Sequence, residues 1–130
     1  MITKQLHYHK FWLVLAWCWV VAVIYLSLTS SPPKVMEFSG ADKLGHLLTY
    51  CWLMFWFAQL YPSLKSRLPY ATGLILMGIV LEFLQSLTPA RLFEVADMLA
   101  NSTGVLIGLW VCRGNLANVF GWIERRWLPG

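Results

Sequence analysis

Four polar side chains, His46, Glu82, Gln85 and Asn101, interrupt segments that are otherwise apolar enough to cross a membrane, and Asp42, Arg91 and Asp97 flank them. A histidine and a glutamate together can move a proton, an arginine can hold an anionic group, and Asp or Asn can orient either. A charged group at mid-membrane costs about 2.5–3.5 kcal/mol on insertion scales. Several polar groups at a similar depth on three helices therefore mark a candidate site.

Helical spacing sets which of these residues share a face. Asp42, His46 and Tyr50 stand at i, i+4, i+8, and His46 lies about 6 Å beyond Asp42 at 1.5 Å per residue. Glu82 and Gln85 stand at i, i+3, with Gly78 one turn earlier on the same side. Asp97, Asn101, Gly104 and Gly108 follow at i, i+4, i+7, i+11, and the two glycines read as a close-packing seam headed by the two polar residues. In the functional reading His46 and Glu82 form an acid/base pair, while Asp42, Tyr50, Gln85, Arg91, Asp97 and Asn101 bind and orient a ligand. The competing reading is structural at each position. Asp42 and Asp97 can cap helix starts, His46 and Glu82 can tie helices together, and Arg91 and Lys43 can simply face lipid headgroups. No Ser or Cys is placed as a nucleophile. His46, Glu82 and Asp97 could chemically hold a divalent ion, but no HExxH or comparable spacing supports one, so neither metal nor cofactor is expected.

The elements that must position these residues follow from composition. The chain has 130 residues, 58% hydrophobic and 12% charged, and a mean hydropathy of +0.60, far from the roughly 25% charged of a soluble domain. Four apolar segments approach the ~20 residues of a span, at 11–28, 44–60, 70–87 and 95–112. The expected fold is all-α, a polytopic four-transmembrane-helix bundle forming one domain over 1–130. Pro32-Pro33 should stop the first helix, and Pro62 and Pro69 should bracket a short turn that makes spans two and three an antiparallel hairpin. The first segment reads as a retained anchor: it is longer than a signal h-region and is followed by Ser30-Ser31-Pro32-Pro33, not an A-x-A-like site. Leu116, Val119, Phe120, Ile123 and Trp127 form an apolar stripe beside Arg125 and Arg126, which predicts a short interfacial helix, a frayed tail being the alternative. Cys18, Cys51 and Cys112 have no pairing or metal spacing and read as free, buried thiols.

Charge gives the orientation. With both termini and the 61–69 loop inside, that side holds Lys4, Lys10, Lys65, Arg67, Arg113, Arg125 and Arg126, against Lys34, Lys43 and Arg91 outside. The net charge of +4 thus reads as topology and attraction to anionic headgroups, and the dispersed basic residues argue against nucleic-acid binding.

The run Asp42-Lys43-Leu44-Gly45-His46 with Tyr50, followed by Glu82, Gln85, Pro89, Arg91, Asp97, Asn101, Gly104 and Gly108, resembles the VanZ family of small membrane proteins, named for glycopeptide (teicoplanin) resistance. The resemblance spans 41–108 and implies an integral membrane protein of the bacterial cell envelope. It does not imply resistance for every member. Joined to the polar cluster, it gives the expectation of a multi-pass protein of the bacterial inner membrane whose outer face binds or acts on an envelope lipid or lipid-linked precursor. The alternative is a non-enzymatic protein whose polar cluster holds the bundle together or contacts a partner. Transport is a weaker idea, since four helices would have to oligomerise to form a pathway.

Overall fold

The computed structural model describes residues 6–29, 40–89 and 93–128. Among these there are five α-helices and no strand: α1 His9–Leu28, α2 Ala41–Leu60, α3 Leu64–Ser86, α4 Val95–Val111 and α5 Val119–Trp127, the last preceded by a 3-10 turn at Gly114–Asn118. By length and composition α1 and α3 can each cross a membrane, and α4 joined to Gly114–Trp127 makes a third candidate broken by a 91° bend. The 20-residue α2 falls outside that group, because Asp42, Lys43, His46 and Gln59 lower its hydropathy.

α1 is apolar on every side, as expected where apolar surroundings leave no reason for a polar face. It buries only Trp12, Ala16 and Val20, at i, i+4, i+8. α2 is the central element and buries Tyr50, Leu53, Met54 and the run from Trp56 to Leu60. It packs most extensively on α4, with both helices running the same way. The glycine seam explains that closeness. A Cβ on Gly104 would overlap the Leu47 carbonyl oxygen, and one on Gly108 would come within 2.8 Å of the Cys51 carbonyl oxygen. Only a hydrogen in place of a side chain lets the two backbones approach so far.

α3 starts earlier than the prolines suggested. Ser63 accepts a hydrogen bond from the Ser66 backbone, and Ser66 accepts one in return from the Ser63 N–H, so a capping box starts the helix at Leu64 and puts Pro69 inside it. The proline is tolerated because it lies near the helix start, where it removes one main-chain bond. The 61–69 turn is therefore shorter than expected. The expected stop at Pro32-Pro33 lies outside the described residues.

One end of the bundle gathers the start of α1, the start of α3, the ends of α2 and α4, and α5; it is called basal here, and the opposite end apical. At the basal end Gln59 accepts from the Val119 N–H (2.8 Å) and Phe120 N–H (3.3 Å) and donates to the Leu116 carbonyl (2.5 Å). It thereby satisfies the start of α5, which no cap side chain of its own serves. Arg67 donates to the Tyr61 carbonyl (2.6 Å) and to the Cys112 carbonyl at the end of α4 (2.9 Å). Glu124 accepts from the His7 and Tyr8 N–H groups (2.8 and 2.9 Å) and from the Trp12 indole (2.8 Å), binding α5 to the beginning of the chain. Phe120 stacks on Trp12 at 4.3 Å. The tail forms the short helix expected, and its stripe divides: Phe120 is buried against the bundle, whereas Leu116 and Trp127 are exposed. All three cysteines are free, and Cys18 is exposed on α1, not buried.

Candidate functional site

The apical end is built differently, from side chains that face one another. α2 opens at Gly40, whose left-handed φ of 82° suits glycine, and no side chain caps it. Asp42 is therefore not a cap; its carboxylate lies 3.4 Å from the Lys43 ammonium. Lys43 also reaches Glu94 Oε2 (2.5 Å) and Asp97 Oδ1 (3.0 Å), so one cation joins the first turn of α2 to the start of α4. The other Asp97 oxygen lies 3.9 Å from His46 Nε2, an ion pair whenever the imidazole carries a proton. Asp97 is likewise no side-chain cap, although its place in the first turn of α4 sets a negative charge at the positive end of the helix.

Glu82 supplies the cap that α4 lacks. Its Oε1 accepts from the Glu94 backbone N–H at 2.9 Å, and the side chain is 2% exposed. A carboxylate held against a helix N-terminus gains from the orphan donors and from the helix dipole together. That gives a physical reason for a buried acid on α3. One layer deeper, Asn101 of α4 and Tyr50 of α2 meet over Gly78 of α3, where an added Cβ would come within 3.0 Å of Asn101 Nδ2 and 3.4 Å of the Tyr50 ring. Asn101 is 3% exposed, and among the described residues its Oδ1 has no hydrogen-bond partner. Buried polar atoms without partners are few in native proteins, and each such acceptor costs about 1–3 kcal/mol.

The structure thus brings Asp42, His46 and Asp97 into one cluster, joins Glu82 to it through the Glu94 backbone, and sets Tyr50 and Asn101 beneath. It places Gln85 elsewhere: Gln85 Nε2 donates to the Ser27 carbonyl of α1 at 2.6 Å and ties α3 to α1. Among the described residues His46 pairs with Asp97, and no hydrogen bond or ion pair joins it to Glu82. Arg91 lies outside the described residues. Two members were not singled out from sequence, Lys43 and Glu94. Their signal was there in the adjacency of Lys43 to Asp42 and in the i, i+3 spacing of Glu94 and Asp97.

Asp42, Glu94 and Asp97 offer carboxylate oxygens within 4.8 Å of one another, close enough to share a cation. The Lys43 ammonium contacts all three and already serves as that cation. The arrangement is suited to exchanging one positively charged partner for another, and to passing a proton between His46 and Asp97.

In comparisons with known proteins, the profile of the VanZ/LLP1 family matches residues 3–120. No curated protein and no solved structure matches the chain.

Proposed function

The chain belongs to the VanZ/LLP1 family, and from that premise we propose a four-span protein of the bacterial cytoplasmic membrane, forming one domain with both termini cytoplasmic, whose apical cluster binds an envelope lipid or lipid-linked precursor at the outer face. The seven-to-three distribution of basic residues supports the orientation. The observation that carries the binding reading is the character of the apical partners. Lys43, Asp42, Glu94, Asp97 and His46 pair with side chains, which a ligand can displace, and Asn101 keeps an acceptor without a donor. Binding is favoured over catalysis because, among the described residues, His46 pairs with Asp97 and not with Glu82. Three carboxylates around a single ammonium suit an amine-bearing headgroup. Arg91 is the residue assigned to any phosphate.

A second reading, in which the cluster only ties helices together, is favoured by Glu82 capping α4 and by Lys43 bridging α2 to α4. Purified protein titrated with vesicles containing phosphatidylethanolamine, with vesicles containing a polyprenyl phosphate, and with teicoplanin separates the two. Glu82→Gln keeps an oxygen for the Glu94 N–H and removes the charge; Arg91→Gln removes the cation. The binding reading expects insertion and thermal stability to persist in both variants while binding of one probe is lost. Binding retained by both variants, or loss of the folded protein from the membrane, would sink it.

A further inference from the structure

An apolar feature separate from the acidic cluster lies in the basal half and middle of the bundle. A groove of about 300 Å³ opens between α1 and α3, with Trp17 and Val20 on one wall and Pro69, Gly73 and Met77 on the other, over Phe57 of α2. It exists because its α3 wall lacks bulk: Pro69 carries a short ring, and a Cβ added to Gly73 would meet nothing within 4 Å. From Pro69 to Met77 the helix rises about 12 Å, close to the hydrocarbon depth of one leaflet, roughly half of 30 Å.

Each wall is headed by a lysine. On α3, Lys65 stands one turn before Pro69, with Gly73 and Met77 following at the same four-residue step, and on α1, Lys10 stands seven residues, about two turns, before Trp17. Both lysines are exposed. The basal end of the groove is closed by aromatic and polar groups: Tyr70 stacks on Phe57 (4.9 Å) and on Tyr61 (4.4 Å), its hydroxyl donates to the Tyr61 hydroxyl at 2.6 Å, and the His9 ring lies 6.0 Å from that of Tyr61.

We propose that this groove is a binding site for an anionic phospholipid, one acyl chain lying between α1 and α3 and the phosphate held between Lys10 and Lys65. Charge complementarity selects this occupant. A largely apolar groove with two exposed cations in register one to two turns beyond its basal end fits an amphiphile with a negative head, whereas a zwitterionic lipid gains nothing from the second lysine. The site is independent of the apical cluster, with which it shares no residue.

The test uses the full chain reconstituted in vesicles of equimolar phosphatidylglycerol and phosphatidylcholine, re-extracted in mild detergent, with retained lipid counted by native mass spectrometry. The wild type should retain phosphatidylglycerol in preference to phosphatidylcholine by about 25-fold, about fivefold for each lysine. The double variant Lys10→Gln, Lys65→Gln should retain lipid without that preference. Gly73→Leu, whose side chain enters open space in the groove, should retain less of either lipid at unchanged thermal stability. Equal retention of the two lipids by the wild type overturns the proposal, as does undiminished retention by Gly73→Leu. A dimer that disappears in Gly73→Leu would assign the groove to a second copy of the chain and overturn it too. Should Gly73→Leu fail to fold, the lysine variant decides alone, since both its positions are exposed: a preference that survives it refutes the site.

Discussion

The two ends of the bundle hold similar numbers of polar side chains and use them in opposite ways. At the basal end Gln59, Arg67 and Glu124 spend their hydrogen bonds almost entirely on main-chain N–H and C=O groups. At the apical end the members of the cluster meet one another, Lys43 held by three carboxylates and His46 facing Asp97, while Glu82 and, beside the cluster, Gln85 turn to the backbone. A side chain bonded to a backbone group at a helix terminus satisfies a donor or acceptor that has no other partner there, and losing it is costly. A side chain bonded to another exposed side chain is worth little to stability. The difference teaches how to sort polar residues in a membrane helix bundle: those that meet the main chain are joints, and those that meet one another are available to a ligand.

The largest effect is expected where the two ends are held in register. Gly104→Leu places atoms onto the Leu47 carbonyl, a backbone group that cannot rotate away, so α2 and α4 must separate. Overpacking typically costs about 1–3 kcal/mol, and a clash onto backbone lies at the upper end of that range. Thermal unfolding in detergent should fall by more than for any change at either end, and both ends should lose their contacts together. A stable Gly104→Leu protein would mean that the ends are held independently.

Next comes a basal joint. Glu124→Ala leaves the His7 and Tyr8 amides and the Trp12 indole without their acceptor, a loss of about 2–3 kcal/mol that should also expose the start of the chain to proteolysis. The same contact predicts a pH dependence. Burial alone would raise the Glu124 carboxyl, but the Tyr8, Trp12 and His7 donors outweigh it and leave the group below its ordinary 4.5. A carboxyl depressed by folding stabilises the protein above its unfolded value, and that contribution is lost as pH falls through the folded value. Wild-type thermal stability should therefore decline below about pH 4.5, and Glu124→Gln should flatten that part of the curve.

Lys43→Gln tests the apical half of the comparison. The lysine makes three ion pairs but remains over a third exposed, so its removal should cost no more than about 1 kcal/mol. Freed of the ammonium, the three carboxylates should bind an external amine or a divalent cation more tightly, as titration calorimetry with calcium would read directly. A drop in stability as large as that of Glu124→Ala would erase the distinction between the two ends.

Much of this arrangement was legible in the sequence. Apolar runs located all four long helices, and Gly104 and Gly108 were recognisable as a seam from their spacing after Asn101. The residues misjudged were those whose role depends on a partner distant in sequence. Lys43 looked like a headgroup contact until Glu94 and Asp97 were found beside it, some fifty residues on. Gln85 shares a helix face with Glu82 only loosely, and the Ser27 carbonyl claims it for α1. Nothing in the spacing of the tail marks Glu124, whose oxygens meet the opposite end of the chain. Pro69 misled through a rule that holds in a helix interior and weakens near a capped start.

Asn101 should show the smallest change in stability and is the sharpest test of the comparison. It is buried like a joint, yet among the described residues its Oδ1 has no hydrogen-bond partner, and it lies over Gly78 beside the Tyr50 ring. If it served only to hold α4 against α2 and α3, an amide with both ends satisfied would be expected, and Asn101→Leu, close in shape and without polar atoms, would destabilise the protein. If its acceptor is kept open for a ligand or for water at the base of the apical cluster, removing it relieves the about 1–3 kcal/mol that an unpaired buried acceptor costs. Asn101→Leu should then melt within about 0.5 kcal/mol of the wild type, or above it, while binding of the phosphatidylethanolamine, polyprenyl phosphate or teicoplanin probe is lost. A clear fall in thermal midpoint with binding intact would place Asn101 among the joints, and the apical end would then be built on the same principle as the basal one.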